Sequence, residues 1–337
     1  MNERSVPTGA GYCLRSTMKA TAIVCTYNRS DTLAKTLESL AASAVPDSAQ
    51  WEVVVVDNNS SDRTRQVVED FSRRFPGRFR YAFEPRQGKS FALNRGIREA
   101  QAEVLAFTDD DVIAEPAWLW NLTKNLFSGE WQGAGGRILP LNTAAIPDWV
   151  PQDIYGVLWG SFDLGDESCD ISLAPYGANM AFRRDVFEHG LFRTDIGPGV
   201  EGARSTNCED QNIGEGVLRR GGKLRYEAEA IVRHPFDTQR INRKYILNRF
   251  FQMGRYIALE TESKPALHGI PRRYFTIVKL LGFECPKRLY RWLLTFEPAR
   301  RFSSRLLLSS SLGQAYELAL GDREPTSDSA PPILRHS

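Results

Sequence analysis

The chain has 337 residues, 42% hydrophobic and 25% charged, enough apolar material for a large globular core. Its 43 Lys and Arg against 41 Asp and Glu leave a net charge of +2, so no bulk field marks nucleic acid as a partner. Five cysteines, Cys13, Cys25, Cys169, Cys208 and Cys285, stand far apart without a CxxC pair, which argues against a disulfide framework or a thiolate metal cluster and suits reduced cytoplasmic thiols.

Residues 1–18 mix charged, polar and Gly/Pro positions without an apolar h-region, so a disordered leader is expected rather than a secretory signal. No run of about 18 apolar residues follows, and a spanning helix is not expected. Ala20 to Thr26 and Trp51 to Val56 read as buried parallel strands, and Ser30 can cap a helix between them that carries Leu33, Leu37 and Leu40 on one face. Alternation continues with a helix over Asp62 to Phe75, a strand over Phe79 to Phe83, a helix over Gly88 to Ala100 and a fourth strand over Glu103 to Phe107. The fold class is therefore α/β, a doubly wound, mostly parallel sheet flanked by helices.

In such sheets ligands bind beyond the carboxyl ends of the strands, near the point where strand order reverses. Three strand ends carry polar groups there: Cys25-Thr26-Tyr27-Asn28, Asp57-Asn58-Asn59-Ser60 and Asp109-Asp110-Asp111. Turn-forming Asp and Asn would explain each end singly but not the trio. Three consecutive carboxylates at the end of an apolar strand repel one another, so a cation is expected beside them. Alternation sends Asp109 and Asp111 to one side and Asp110 to the other, a D-x-D pair of hard oxygen ligands suited to Mn²⁺ or Mg²⁺ holding a diphosphate.

After Pro116 the pattern loosens. Trp118, Leu119, Leu122 and Leu126 fit an amphipathic helix, Gly133 to Arg137 and Tyr176 to Phe182 read as tight passages and strands, and Lys223 to Val232 reads as a strand pair. Trp149, Tyr155, Trp159 and Phe162 are either stacking surfaces for a substrate or core. Lys89 and Arg95 could approach a phosphate, although solvated surface charge is the commoner reading.

The ordered motifs IVCTYN (23–28), VVVVDNNSSDRT (53–64), GKSFALNRGIREAQAEVLAFTDDD (88–111), GANMAFR (177–183) and Glu209-Asp210 followed by LRRGG (218–222) resemble the family 2 glycosyltransferases of GT-A fold over roughly residues 19–255. The resemblance implies a nucleotide-sugar donor, in that family most often a uridine diphosphate sugar, with Thr26, Tyr27, Asp57 and Asn58 at base and ribose. It implies Asp109 near ribose or metal, Asp111 as metal ligand, and Asp210, with Glu209 beside it, as the base of an inverting transfer. A carboxylate opening a helix is equally a plain cap, and Gly214 and Gly216 are poor residues for the interior of that helix. His234 resembles the histidine that completes a metal or diphosphate site in relatives; a structural histidine is the other reading.

The expected organisation is a catalytic domain over 19–240, with a nucleotide half (19–115) and an acceptor half (116–240), a basic helical extension over 241–320 and a disordered tail over 321–337. Residues 271–305 hold nine Lys or Arg against two acidic residues, interleaved with aromatic and aliphatic ones. That segment is either an interfacial helix region touching the inner face of a membrane or a helical cap with its basic face in water; without an RNA-binding signature, nucleic acid is not an expected partner. The acceptor implied is a saccharide or a lipid-linked saccharide. A sugar-1-phosphate nucleotidyltransferase would place a Gly-rich loop after strand one, where CTYNRS stands, and a non-catalytic binding protein would show an eroded D-x-D or a missing base; both are intact here.

Overall fold

The computed structural model describes residues 18–142, 145–205, 208–262 and 271–320; residues 1–17 of the expected leader and the expected tail lie outside the described residues. The first half alternates as predicted: Met18–Thr26 (β1), Ser30–Ala41 (α1), Ala49–Asp57 (β2), Thr64–Arg74 (α2), Phe79–Phe83 (β3), Lys89–Glu99 (α3) and Val104–Asp109 (β4). These strands run parallel in the order β3-β2-β1-β4, and Ile23, Val53 to Val56 and Leu105 are fully buried. Cover on both faces is why they read as unbroken apolar runs. In register, Thr26 lies opposite Asp57 and Cys25 opposite Asp109, so the three polar strand ends are level.

Ser30 is the first residue of α1 and not its cap. The carboxylate that serves this end is Asp62, whose Oδ2 accepts from Ser30 N at 2.9 Å while its Oδ1 accepts from Thr64 N at 2.9 Å and Thr64 Oγ1 at 2.5 Å, so one side chain ties the starts of α1 and α2. Burial pushes the other way, but the hydrogen bonds from Thr64 and Ser30 hold the Asp62 carboxyl down at about 2. A folded-state value below the unfolded one means stability present above pH ~4 and lost as pH falls toward 2. Asp62→Ala is therefore expected to cost about 1 kcal/mol at pH 7, in line with a lost helix cap, and clearly less at pH 2, where about half of the folded-state carboxyl is protonated; urea titrations at both pH values check it.

The second half contributes Ile113–Ala114 (β5), Trp118–Thr123 (α4), Gly133–Pro140 (β6), Tyr155–Trp159 (α5), Cys169–Ile171 (β7), Asn179–Arg183 (β8), Gln211–Arg219 (α6) and Leu224–His234 (β9). They extend the same sheet to the order β3-β2-β1-β4-β8-β6-β9-β5, with β7 paired to β9, and here antiparallel pairs enter at β4/β8, β6/β8, β7/β9 and β5/β9. Leu126, expected on the face of α4, lies in the 3-10 turn Lys124–Ser128 that follows it. The strand pair expected over Lys223 to Val232 is instead one strand, β9, whose register against β6 jumps between Gly136/Glu227 and Arg137/Ile231. The buried amide of Asn179 satisfies that irregularity, donating to Arg137 O at 3.0 Å and Ala230 O at 2.7 Å and accepting from Trp118 Nε1 at 2.7 Å. A Cβ at Gly136 would run into that amide and the Ala230 carbonyl.

The carboxyl-terminal region folds as Arg243–Glu262 (α7), Arg272–Lys279 (α8), Cys285–Leu294 (α9) and Pro298–Leu320 (α10). Phe302 and Leu306 of α10 pack with Ile246 of α7 and with Val150, Ile154 and Leu158. The crossing of α7 and α10 is close: a Cβ at Gly254 would overlap the Ser310 carbonyl, and one at Gly313 the Phe251 carbonyl. Glu317 of α10, 1% exposed, accepts from Arg204 Nε and Arg255 Nε at 2.8 Å each. Among the described residues no helix is long and apolar enough to cross a membrane.

Candidate active site

A cavity of about 590 Å³ opens at the carboxyl ends of β1 and β4, where the chain leaves the sheet in opposite directions. Thr26, Tyr27, Asn58, Asp109, Asp110, Asp111, Glu209, Asp210 and His234 all line it. Asp57 is not among the lining residues: it is buried beneath them, accepting from Tyr81 Oη and Ser60 N at 2.8 Å each. Asn58 reaches the cavity wall, but its amide is spent on the loop that opens α3, donating to Glu84 O and Arg86 O and accepting from Gly88 N. Three non-glycine residues with left-handed backbone, Asn28, Asn59 and Cys208, sit at the ends of β1 and β2 and just before Glu209. Such conformations concentrate where a loop must present groups at a fixed angle.

Asp109, Asp111 and His234 offer ligand atoms that all lie within 4.8 Å of one another. The pairing of β5 with β9 brings them together: Ile113 faces Arg233, so the next residue along β9, His234, arrives beside Asp111. Asp111 Oδ1 is buried without a hydrogen-bond partner and lies 3.6 Å from His234 Nε2. The ring's Nδ1 is 2.8 Å from Pro235 O, an acceptor, so the proton of a neutral ring sits on Nδ1. The lone pair of a neutral ring's Nε2 then faces the orphaned oxygen, and a divalent ion between them would satisfy both. Two carboxylate oxygens and a borderline imidazole nitrogen form a mixed donor set that fits Mn²⁺, with Mg²⁺ served by the carboxylates.

The counter-charge foreseen beside the acidic triplet is partly protein. Arg29, which the sequence reading missed, donates to Asp110 Oδ1 at 3.1 Å and Asp111 Oδ2 at 2.8 Å. Lys89, expected at the surface, instead points inward, 2.8 Å from Asp109 Oδ1 and 3.5 Å from Glu209 Oε1. Its inward turn follows from a cover: the Lys89 amide donates to Pro198 O, and the 195–205 loop closes over this end of α3. Arg95 stays at the surface, paired with Glu99.

These contacts divide the carboxylates electrostatically. Burial alone would raise Asp109, but Lys89 above all, then His234 and Arg29, holds it below the usual range. Burial pushes Asp110 up to about 6 despite Arg29. Burial likewise raises Glu209 to about 7, with Asp210 adding to the rise and Lys89 opposing it. Burial keeps Cys25 and Cys208 as thiols.

Asp210 is held apart from this cluster. As N-cap of α6 it accepts from Gln211 N at 3.0 Å, and its Oδ2 accepts from Gly177 N at 2.7 Å. Both readings of the residue hold at once: it caps a helix and faces the cavity. A Cβ at Gly177 would press against Asp210 Cβ and Oδ2 at 3.2 Å, so the glycine that opens the GANMAF motif lets that carboxylate sit undisplaced. Gly214 does not disturb α6; it lets the helix pack on Ala174 and Pro175. The far wall of the cavity is formed by Tyr176 and by Tyr245, Arg249 and Met253 of α7. Trp149, Tyr155 and Phe162 are packing residues: Trp149 meets Phe302 edge-on, Tyr155 joins the same cluster and Phe162 packs on Tyr226. The side chain of Trp159 lies outside the described residues.

Residues 21–191 match the family model described as glycosyl transferase family 2. The chain is 29% identical to the succinoglycan biosynthesis protein ExoM of Rhizobium meliloti over 238 residues, covering 69% of this chain and 72% of that protein. It is 27% identical to a glucosyl-dolichyl phosphate glucuronosyltransferase of Haloferax volcanii over 243 residues, 70% of this chain and 75% of that one. Its fold is similar to that of the mannosyltransferase PcManGT from Pyrobaculum calidifontis, solved with GDP-Man and Mn²⁺, at a TM-score of 0.53 and 20% identity, covering 91% of this chain and 76% of the other.

Proposed function

The chain belongs to glycosyl transferase family 2 and is a glycosyltransferase of GT-A fold, and from that premise we propose that it moves a sugar, with inversion, from a nucleotide sugar to a hydroxyl of a saccharide or lipid-linked acceptor in polysaccharide or glycoconjugate synthesis. One observation carries the reading: a single cavity holds the Asp109, Asp111 and His234 cluster and, on a separate support, the carboxylate of Asp210. A uridine diphosphate sugar is the donor the family resemblance favours.

Asp109, Asp111 and His234 would hold a divalent ion, Mn²⁺ or Mg²⁺, which when bound neutralises charge on the departing diphosphate. Lys89 keeps Asp109 ionised and Arg29 keeps Asp111 oriented, each through one carboxylate oxygen, leaving the others for the ion. Asp210 takes the proton of the acceptor hydroxyl as that oxygen attacks the anomeric carbon. The Gly177 N–H fixes the rotamer of that carboxylate, so it meets the proton without reorganising. Glu209 supports the site through Lys89.

The test is release of nucleoside diphosphate from a panel of nucleotide sugars with Mn²⁺, Mg²⁺ or chelator. Turnover should vanish with chelator, and Asp111→Asn should weaken Mn²⁺ binding, read by calorimetry, by about tenfold or more. Chelator-resistant turnover, or unchanged Mn²⁺ affinity in the variant, would remove the metal from the reading.

A further inference from the structure

Helices α8 and α9 pack on the body through a few residues, Ile277 and Cys285 among them, and leave most of their apolar side chains exposed. Both are amphipathic, yet α8 buries none of its residues and α9 buries only Cys285. The side of α9 that meets α10 is largely polar: Arg288 donates to Leu307 O at 2.6 Å and to Ser311 Oγ and pairs with Glu284, and the one large apolar group there, Trp292, lies under Arg301 and Arg305. The apolar side faces outward. Phe275, Val278, Leu281 and Phe283 continue into Leu289, Tyr290, Leu293, Leu294 and Phe296 as exposed residues, with Phe296 89% and Val278 71% accessible. Helices of soluble domains do the reverse, and an apolar stripe of this extent left in water marks a contact surface.

We propose that this face docks on an anionic lipid bilayer, lying in its interface without crossing it. The choice of occupant rests on charge. Residues 271–305 carry nine Lys or Arg against two acidic residues, and Lys279, Lys287, Arg291 and Arg300 are exposed alongside the apolar side chains. Long basic side chains flanking an apolar stripe place their stems with the acyl chains and their charges at the headgroups. A second copy of the chain is disfavoured by the same charges, because a two-fold contact sets this basic surface against itself.

The face is joined to the cavity by one helix. Met253 of α7 lines the cavity, and Ala258 of α7 packs on Leu280 in the turn between α8 and α9. Five residues of helix separate them, about 7–8 Å along the axis. An acceptor anchored in the same leaflet would present its sugar close to the cavity mouth. That last consequence rests on the transfer reading; the docking does not.

Flotation of the full chain with vesicles decides it. With vesicles of about one-third phosphatidylglycerol in phosphatidylcholine, binding should exceed that to pure phosphatidylcholine by about tenfold or more and fall at high salt. Leu293→Glu with Phe296→Glu should abolish flotation, and Lys287→Gln with Arg291→Gln should reduce it severalfold. Both pairs are exposed and remote from the cavity, so melting temperature and donor turnover in solution should stay at the wild-type level. Flotation that the Glu pair leaves unchanged would overturn the proposal, as would a dimer in sedimentation that the Glu pair disperses while vesicles go unbound. Absent donor turnover with flotation intact would count against the transfer reading and leave the docking supported.

Discussion

Asp210→Asn lowers kcat by about 10²–10⁴-fold while donor affinity stays within a factor of about three of wild type. The substitution keeps size and shape, and the asparagine carbonyl oxygen can still accept from Gly177 N, so the wall of the cavity keeps its form. What is lost is the ability to take a proton. Donor affinity survives because Asp109, Asp111 and His234 stand on β4, the turn after it and β9, whereas Asp210 opens α6. Saturating both substrates isolates kcat, and calorimetry with donor and Mn²⁺ gives the affinity. Glu209→Gln serves as the comparison: its carboxyl meets Lys89, so the expected loss is smaller and falls on donor KM. Should the Asp210 variant turn over within about threefold of wild type, the base lies elsewhere.

The second large effect is on stability. Glu317→Ala leaves Arg204 and Arg255, both mostly buried, without their shared carboxylate, and removing one member of such a cluster costs about 3–5 kcal/mol. The damage should reach the cavity. Arg204 belongs to the loop whose Pro198 carbonyl receives the Lys89 amide and whose Ile196 carbonyl receives Ser90 Oγ. Loosening that loop uncovers Lys89, so donor affinity should fall together with the urea midpoint. Urea unfolding and donor calorimetry on the same preparations check both halves, and Glu317→Gln, which keeps volume but not charge, should fall between. A variant as stable as wild type would mean that α10 is not fastened through this cluster.

Much of this was legible in the sequence for identifiable reasons. Strands covered on both faces must be continuously apolar, so β1, β2 and β4 announced themselves; of the acidic residues at their ends the Asp109 to Asp111 triplet lines the crevice, whereas Asp57 lies beneath it. Asp111 and His234 stand side by side through a two-residue strand, β5, too short to be read from the sequence. Lys89 was misplaced because its partner Glu209 and its cover at Pro198 are about a hundred residues downstream, and local charge patterning cannot see a lid. Arg29 follows IVCTYN directly, and its place opposite the triplet depends on β1 and β4 being neighbours, a fact of strand order rather than composition. β9 looked like two strands because residues 228–230 slip out of register with β6, an irregularity the Asn179 amide resolves. In α8 and α9 periodicity revealed an apolar side but could not say which way it faces.

The near-contact of α7 and α10 at Gly254 and Gly313 leaves one wall of the cavity little freedom to move. Tyr245, Arg249 and Met253 ride on a helix whose axis is pinned a short distance away, so the pocket cannot be widened by shifting its backbone. Along this wall, a change of cavity shape would come from exchanging those three side chains in place, which makes them natural positions to randomise in a directed-evolution library.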